Sequence, residues 1–465
     1  MKKDISCKLL IIGAGPGGYV CGIRAGQLGL DTVLVDAGKA GGTCLHVGCI
    51  PSKSLIHAAE EFHRSHELAS ANPFGITQAA PSIDLGKTID WKDSIVTRLH
   101  NGVIGLLKKA NVKMVRGQAR FLDGKTVSVE TDTGQQVISA ETIVIATGSS
   151  PMELPFLPFG GKVISSTGAL ALRQVPEKLV VVGGGYIGLE LGTAFAKLGS
   201  KVTVVEAAER ILPQYDSELT APVAARLKEL GVRILTSTKA QGLKGSNDAL
   251  HIEGPKGAEE LQADKILVTV GRKPVTANLG LEELVLDMDG PFIRINNHCE
   301  TAMRNIYAIG DVTGEPMLAH RAMAQGEMVA EIVAGHRRIW DKQVIPAVCF
   351  TDPEIVTVGL SPDAARAAHS VEIKTGVFPF AANGRAMTML AERGFVRVVA
   401  RADNHLLLGI QAVGEGVSEL SAGFAQAIEM GARLEDIAGT IHAHPTLSEG
   451  VQEAALKALG RTIHI

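Results

Sequence analysis

The chain has 465 residues, 46% hydrophobic and 20% charged, which indicates a globular protein of about three or four domains. A net charge of −3 without a basic block excludes the usual nucleic-acid or membrane-surface footprint, and the longest apolar run, residues 9–23, is too short to span a membrane. Six cysteines without a secretory leader pattern favour a reducing, cytoplasmic location.

The first predicted unit is a strand, a tight turn, a helix and a second strand, within CKLLIIGAGPGGYVCGIRAGQLGLDTVLVD. In its G-x-G-x-x-G motif, Gly13 permits the turn, Gly15 lets a pyrophosphate approach the backbone, and Gly18 lets the helix pack on the strand. Asp36 ends the second strand, where it can accept hydrogen bonds from a ribose diol. The pattern predicts a dinucleotide site.

Two cysteines five positions apart follow in GGTCLHVGCIPSK, at residues 41–53. Cys44 and Cys49 can be two buried thiols, half of a zinc site or a redox disulfide. Zinc is disfavoured because no second tight pair of ligands follows. A bridge needs a locally distorted turn, because five residues of ideal helix rise by about 7.5 Å. Gly48 and Pro51 permit that distortion, which favours a labile, catalytic disulfide.

A second dinucleotide unit repeats the first at a constant offset of 170 residues, in KLVVVGGGYIGLELGTAFAKLGSKVTVVE. Its equivalent residues are Gly183, Gly185, Gly188 and Glu206. The Glu206 carboxylate would repel a 2′-phosphate by about 1 to 4 kcal/mol at 4 Å, so we expect NAD rather than NADP. Arg210 lies close enough in sequence to reverse this preference.

The cysteines decide which nucleotide each unit binds. A nicotinamide does not exchange electrons readily with a dithiol, whereas a flavin accepts hydride on one face and thiolate attack on the other. The first unit, which precedes Cys44, is therefore assigned to FAD and the second to NAD. Two further segments, TIVIATGSSP and KILVTVGRKP, are each an apolar strand followed by glycine and proline, typical of the closing strand of each unit.

Downstream, RNIYAIGDVTGEPMLAHRAMAQGEMVAEIVAG predicts an apolar strand ending at Gly310 and then a long helix. Asp311 can cap that helix or bind a polyol chain. From about Ile345 the pattern predicts a separate α+β domain without a glycine fingerprint.

The final segment, TIHAHPTLSEGVQEAAL, supplies a candidate base for thiol chemistry. His444 and Pro445 are predicted to start a helix, and Glu449 can orient the imidazole and raise its basicity. His442 is the alternative base, which spacing alone does not exclude.

Together, GAGPGGY, GGTCLHVGCIPSK, ATGS, GGGYIGLE, TVGRKP, AIGD, MLAHRA and HAHPTLSE resemble the dihydrolipoamide dehydrogenases of the pyridine nucleotide-disulphide oxidoreductases. The resemblance spans the whole chain and is greatest to the bacterial branched-chain 2-oxo acid dehydrogenase form. It implies an α/β fold with two Rossmann-like domains, for FAD and NAD, and a C-terminal α+β dimerisation domain. The expected divisions are 1–150 (FAD), 151–273 (NAD), 274–344 (central, completing the FAD site) and 345–465 (interface).

The resemblance also implies roles for individual residues. Cys44 is similar to the thiol that exchanges with lipoamide, and Cys49 to the thiol that contacts the flavin. Lys53 is similar to a lysine near the flavin, held by Glu190. Further FAD contacts are implied at Gly13, Gly15, Gly18, Asp36, Gly42, Thr43, Gly117, Thr147, Gly148, Asp311 and Ala319, and NAD contacts at Gly183, Gly185, Tyr186, Ile187, Gly188, Glu190, Glu206, Gly271 and Arg272.

Partners are implied as well. His444 and Glu449 would reach the cysteines of a second subunit in a homodimer, and the enzyme would serve a lipoyl domain and the acyltransferase core of a 2-oxo acid dehydrogenase complex. The sequence departs from the family at His46, usually asparagine, at Asp36, usually glutamate, and at Tyr186, which resembles the gating tyrosine of glutathione reductase. The alternatives to a dihydrolipoamide dehydrogenase are a glutathione reductase and a non-catalytic, flavin-bearing scaffold subunit.

Overall fold

The structure is a computed structural model that describes residues 4–244 and 249–465. Its first part is a seven-stranded sheet flanked by helices. The strands are β1 (Ile5–Ile12), β2 (Thr32–Asp36), β3 (Lys113–Arg116), β4 (Gln118–Phe121), β5 (Thr126–Thr131) and β6 (Gly134–Ile145), joined by β19 (Ile306–Ala308); the helices are α1 (Pro16–Gln27), α2 (Gly42–Val47), α3 (Cys49–Leu68) and α4 (Leu85–Lys109). The parallel strands run in the order β3-β2-β1-β6-β19, so the carboxyl ends of β1 and β2 meet at the first glycine-rich turn.

The second part repeats this arrangement around a five-stranded parallel sheet in the order β11-β10-β9-β15-β8. Its elements are β7 (Ser149–Pro151), β8 (Val163–Ile164), α5 (Ser166–Ala169), β9 (Lys178–Val182), α6 (Tyr186–Lys197), β10 (Lys201–Val205), α7 (Ser217–Glu229), β11 (Arg233–Leu235), β12 (Lys239–Lys244), β13 (Ala249–Gly254), β14 (Gly257–Leu261), β15 (Lys265–Val268) and β16 (Arg272–Pro274). β12, β13 and β14 form an antiparallel sheet, and β16 pairs with β7 where the chain crosses back.

The segment between the second sheet and the C-terminal domain returns to the first sheet. It contains β17 (Met288–Asp289), β18 (Phe292–Ile293), β19 and α8 (Ala319–Val333), with short 3-10 turns at Leu281–Glu283 and Gly310–Thr313. α8 packs against α1 at glycines: a Cβ atom on Gly326 would lie 2.3 Å from the carbonyl oxygen of Gly17. The long helix begins at Ala319, so Asp311 does not cap it; that alternative is wrong, because a 3-10 turn and Gly314 separate the two.

The C-terminal part is a five-stranded antiparallel sheet in the order β20-β21-β24-β23-β22. Its elements are β20 (Ala347–Cys349), β21 (Glu354–Gly359), α9 (Pro362–Ala368), β22 (Ile373–Pro379), α10 (Gly384–Met389), β23 (Phe395–Arg401), β24 (Leu407–Gly414), α11 (Ser421–Glu429), α12 (Leu434–Gly439) and α13 (Glu449–Ala458), with 3-10 turns at Phe380–Ala382 and Val417–Leu420. Its core includes Phe378, Val396 and Ile410, all almost fully buried. The mixed seven-stranded sheet, the parallel five-stranded sheet and the antiparallel C-terminal sheet, with their flanking helices, confirm the predicted α/β class.

One predicted helix start is wrong. α13 begins at Glu449, and His444 lies in the preceding loop. The Thr446 N–H donates to the Glu449 side chain, and residues 444–448 form a turn where the sequence predicted the first turn of the helix. His444 is therefore free of helical backbone restraints.

Candidate active site

The two cysteines predicted to be redox-active form a disulfide at a helix break. α2 carries Cys44 and α3 begins at Cys49; Gly48 between them has φ −137° and ψ −113°, which interrupts the helix and brings the two Cα atoms to 4.6 Å. A Cβ atom on Gly48 would lie 2.9 Å from the carbonyl oxygen of Thr43, so a side chain has no room there. Within the described ranges, no group of His, Cys, Asp and Glu residues could hold a metal ion.

The first glycine-rich turn has the shape expected for a pyrophosphate site. Gly13 has φ +105°, and a Cβ atom on Gly18 would lie 1.8 Å from the carbonyl oxygen of Gly13, so both positions require glycine. A Cβ atom on Gly15 would meet nothing within 4 Å, which leaves space beside the start of α1. The Asp36 carboxylate accepts hydrogen bonds of 2.6 Å from the N–H groups of Ala14 and Gly38, so it is fixed next to that space. These residues fit the FAD assignment.

The second turn repeats this geometry at the mouth of a cavity. A Cβ atom on Gly188 would lie 2.3 Å from the carbonyl oxygen of Gly183, whereas one on Gly185 would meet nothing within 4 Å. Glu206 accepts hydrogen bonds from the N–H groups of Gly184 (2.5 Å) and Ala208 (2.7 Å). The cavity, about 790 Å³, falls within the usual range for cofactor sites and is lined by residues that include Gly183, Gly185, Tyr186, Ile187, Glu206, Gly271 and Arg272.

Arg210, the residue that could have reversed the coenzyme preference, is engaged elsewhere. Its guanidinium donates to the carbonyl oxygens of Tyr215 and, at 2.7 Å, Pro213. Both hydrogen bonds keep the Arg210 guanidinium next to backbone carbonyl oxygens. Among the described contacts, Arg210 is therefore not paired with Glu206.

Lys53 and Glu190 form an ion pair with a separation of 2.8 Å between Nζ and Oε2. The Glu190 side chain is only 5% exposed, and its second oxygen accepts a 2.9 Å hydrogen bond from the Phe350 N–H. The Lys53 ammonium also lies 4.3 Å from the centre of the Phe350 ring, which is a favourable cation–π distance. Phe350 was missed from the sequence, because its segment lacks a glycine motif.

Asp311 and Arg272 were predicted for different nucleotides, but a third side chain joins them. The Ser149 hydroxyl donates to Asp311 at 2.5 Å and accepts from Arg272 Nε at 2.8 Å, while the Arg272 guanidinium also donates to the Ser149 carbonyl oxygen. Ser149 was not predicted; its only sequence signal is its place directly after the Thr147-Gly148 pair. It links the two nucleotide units at the point where the chain crosses between them.

The remaining predicted residues lie at the ends of strands or the starts of helices. The Thr147 hydroxyl donates to the carbonyl oxygen of Val275 at 2.7 Å, and the Gly117 N–H donates to the carbonyl oxygen of Asp36 at 3.0 Å. Burial raises the pKa of the Tyr186 hydroxyl to about 12, so this side chain is neutral at physiological pH. Gly42 and Thr43 begin α2, Ala319 begins α8, Ile187 lies in the first turn of α6, and Gly148 and Gly271 have positive φ.

His444 and Glu449, predicted as a base and its orienting acid, contact each other directly. His444 Nδ1 lies 2.8 Å from Glu449 Oε1, and the Thr446 N–H donates to the other oxygen at 2.7 Å. Burial alone raises the pKa of the Glu449 carboxyl, but the hydrogen bonds from Thr446 and His444 outweigh burial and lower it. The His444 side chain is 79% exposed, so its second nitrogen faces outward. In the described part of one chain, no hydrogen bond or ion pair joins it to the cysteines.

The alternative base has a different environment. His442 Nδ1 is hydrogen-bonded to the carbonyl oxygen of Thr440, two residues earlier, at 2.9 Å. A backbone carbonyl does not stabilise an imidazolium as a carboxylate does. The geometry favours His444.

His46, between the two cysteines, is half-buried and lies beside another histidine. His46 Nε2 and His100 Nδ1 each lie 2.9 Å from the carbonyl oxygen of Ala40, and the two ring centres are 5.1 Å apart. His46 thus ties α2 to the loop before it and to α4.

The long helices do not have membrane-spanning character. Within residues 4–244 and 249–465, none is both long enough and apolar enough to cross a membrane.

Comparison with known proteins places these motifs in one family. Residues 7–326 match the model of the pyridine nucleotide-disulphide oxidoreductases, and residues 345–455 match the dimerisation domain of the same family. The chain is 59% identical over 467 aligned positions to a dihydrolipoyl dehydrogenase of Pseudomonas aeruginosa, with all of both chains covered. It is 44% identical to that of Geobacillus stearothermophilus, over 99% of this chain and 98% of the relative.

Solved structures agree with this assignment. LpdA from Mycobacterium tuberculosis superimposes with a TM-score of 0.87 at 25% identity, over 96% of this chain and 99% of that one. The flavoprotein disulfide reductase RclA from Escherichia coli gives 0.86 at 26% identity, over 97% and 99%. With its glycine-rich turns, its disulfide and both family matches, the chain belongs to the pyridine nucleotide-disulphide oxidoreductases.

Proposed function

We propose that the chain is an FAD-dependent dihydrolipoyl dehydrogenase, which oxidises protein-bound dihydrolipoamide to lipoamide and reduces NAD⁺ to NADH. The observation that carries the proposal is the Cys44–Cys49 disulfide, held at the helix break directly after the first dinucleotide unit. The relatives at 59% and 44% identity, which carry this name over their full lengths, support it.

The two cofactors have separate places. FAD would be held at the first turn by Gly13, Gly15, Gly18 and Asp36, and NAD at the second by Gly183, Gly185, Gly188 and Glu206. When bound, FAD supplies a two-electron acceptor that can exchange electrons with a dithiol and hydride with a nicotinamide. The chain's own contribution is to hold both turns open and, through Glu190, to fix the charge of Lys53, which lies on the disulfide helix one turn after Cys49.

The thiol chemistry follows from the side chains of the chain itself. His444 takes a proton from one substrate thiol, and the resulting thiolate attacks the sulfur of Cys44. The Cys44–Cys49 bond breaks, which leaves a mixed disulfide on Cys44 and a thiolate on Cys49. Attack by the second substrate thiol then releases the cyclic disulfide and reduces Cys44. Glu449 orients the imidazole and stabilises its charged form.

The assembly is also part of the proposal. The outward-facing His444 and the dimerisation-domain match support a homodimer in which His444 and Glu449 of one subunit act on Cys44 of the other. The substrate would be the lipoyl domain of a 2-oxo acid dehydrogenase complex, with the acyltransferase core as the docking partner. Four buried, unpaired thiols (Cys7, Cys21, Cys299 and Cys349) support a cytoplasmic location.

We also propose the domain division 1–150, 151–273, 274–344 and 345–465, of which residues 1–3 and 245–248 lie outside the described ranges. The sheets support it: each parallel sheet falls mainly within one of the first two divisions, and the antiparallel sheet falls within the last. β19, in the third division, adds a strand to the first sheet, as expected for a segment that completes the FAD site.

A matched pair of variants tests the proposed base. His444→Gln should lower dihydrolipoamide oxidation by about 10²- to 10⁴-fold, the usual contribution of a positioned base, while NADH still reduces the flavin. His442→Gln is the control and should retain most activity. Full activity in His444→Gln would contradict the assignment.

A steady-state comparison of substrates tests the reaction itself. Activity should require lipoamide, and glutathione disulfide should be a poor substrate with either nicotinamide. Two-electron reduction should produce a long-wavelength thiolate-to-flavin absorption band that is absent in Cys49→Ser. Preference for glutathione disulfide would favour the glutathione reductase alternative, and no turnover with either substrate would favour the non-catalytic scaffold.

A further inference from the structure

The C-terminal part of the chain holds a lysine, a histidine and a glutamate in series, none of which takes part in the site described above. Lys374 lies on β22, His405 in the turn between β23 and β24, and Glu435 in the first turn of α12. Lys374 Nζ is 3.1 Å from His405 Nε2, and His405 Nδ1 is 2.5 Å from Glu435 Oε1. Three separate elements thus bring an amine, an imidazole and a carboxylate into one line.

The bonding pattern assigns the tautomer of the histidine. The carboxylate of Glu435 can only accept, so His405 Nδ1 carries the proton. Nε2 then carries the lone pair and accepts the hydrogen bond from Lys374 Nζ. A nucleophile within hydrogen-bond distance of a base, itself oriented by a third group, is the arrangement that activates nucleophiles in covalent catalysis.

The backbone holds the imidazole in place. His405 has φ +60°, a left-handed conformation that side-chain-bearing residues seldom adopt. Its N–H donates to the Arg401 carbonyl oxygen at 3.1 Å, and its own carbonyl oxygen accepts from the Leu434 N–H at 3.0 Å. Such a conformation persists only where its surroundings impose it, so the direction of the ring is built into the turn.

The cluster is partly shielded but reachable from solvent. The side chains of His405 and Glu435 are 26% and 45% exposed. The neighbouring charges are the Arg401–Asp403 ion pair and Arg461, which acts on Glu435. Lys374 is itself partly exposed, so a small acyl donor can reach the amine.

We propose that Lys374 is a self-acylation site for activated acyl groups, namely acyl thioesters and acyl phosphates. The free-amine form of Lys374 attacks the acyl carbonyl carbon, a C–N bond forms, and the C–S or C–O bond breaks as thiolate or phosphate leaves. The surplus N–H proton passes to His405 Nε2 and then to water, and nothing is oxidised or reduced. His405 is the base, and Glu435 is a positioning residue. The product amide removes the positive charge from β22.

The test uses the flavin-loaded, full-length protein. One arm contains acetyl phosphate and the other acetyl-coenzyme A, and mass spectrometry follows the initial acetylation rate of each lysine. Lys113 and Lys457 are the controls, because both are exposed and neither is hydrogen-bonded to a histidine in the part of the chain that the structure describes. Lys374 should react at least ten-fold faster than both. Reaction in one arm alone would support the site and identify its donor class, whereas no excess in either arm would overturn it.

Two variants separate activation from simple exposure. His405→Asn keeps a residue that tolerates left-handed backbone and should reduce the Lys374 rate to that of the controls. Glu435→Gln keeps the shape but loses the charge and should reduce the rate about five-fold. An unchanged Lys374 rate in Glu435→Gln, or in a His405→Asn protein of unaltered melting temperature, would refute the proposal. Neither residue belongs to the proposed dihydrolipoamide site, so this test and that of the main function fail independently.

Discussion

We propose that the coenzyme preference depends on the Glu206 carboxylate, and the removal of this carboxylate gives a quantitative prediction. Glu206 is fixed by two backbone N–H groups, at 2.5 and 2.7 Å, so it cannot turn away from a 2′-phosphate. Two unit charges 4 Å apart interact by about 1 kcal/mol in water and about 4 kcal/mol at a surface-like effective dielectric. Glu206→Gln should therefore raise the ratio of kcat/KM for NADP⁺ over NAD⁺ by at least about five-fold.

The assay is steady-state dihydrolipoamide oxidation with each nicotinamide at one ionic strength, because screening weakens exposed charge effects. Glu209→Gln is the matched control: it makes the same charge change three residues away, on an exposed side chain, and should leave the ratio nearly unchanged. An equal shift in both variants would mean that net charge, rather than the fixed carboxylate, sets the preference. No shift in Glu206→Gln would refute the reasoning.

Three further predictions concern the two turns, the buried ion pair and acid stability. Gly15→Ala should fold but lose flavin, which absorbance measures, and Gly185→Ala should keep flavin and raise KM for NAD⁺, which kinetics measures. In each variant the new methyl group enters space that the protein leaves open. Gly102→Ala, where a methyl group is also unobstructed, is the control. Glu190→Gln should lower the free energy of unfolding by about 1–3 kcal/mol in denaturant titrations, because the Lys53 charge loses its buried partner; an unchanged midpoint would contradict this. Burial raises the pKa of Asp352, but Lys197 and Arg226 outweigh burial and lower this pKa in the folded protein. The carboxylate therefore contributes its full stabilisation above the unfolded-state pKa of about 3.9, and this stabilisation is lost as the pH falls through the folded-state pKa. Asp352→Asn should flatten the loss of stability below about pH 4, and an unaltered acid profile would count against it.

The local parts of this molecule could be read from the sequence. The glycine-rich turns follow from conformational limits at single positions, such as the positive φ of Gly13 and Gly183, and these limits act within a few residues. The position of the disulfide was accessible for the same reason, because Gly48 must break a helix for the bridge to form. The order of the motifs along the chain was sufficient to predict the protein family.

Contacts between distant segments could not be read in this way. Ser149 meets Arg272 across 123 residues, and the Phe350 N–H meets Glu190 across 160. Arg272 and Glu190 lie in recognisable motifs, but nothing local to Ser149 or Phe350 indicates these contacts. The start of α13 was misplaced because Thr446 bonds to a side chain rather than to helical backbone. Such details depend on which segments the fold brings together, and a single amino-acid sequence does not reveal those contacts.

The two oxygens of Glu190 have a mechanical consequence. The residue lies on α6, whose first turn lines the cavity at the second glycine-rich turn. One oxygen holds Lys53 on the disulfide helix, and the other holds the Phe350 amide of the C-terminal part. A rotation of any one of these three bodies against the others would expose or strand a buried charge. We infer that these two bonds of one carboxylate resist rotation of the disulfide helix, α6 and the C-terminal part against one another.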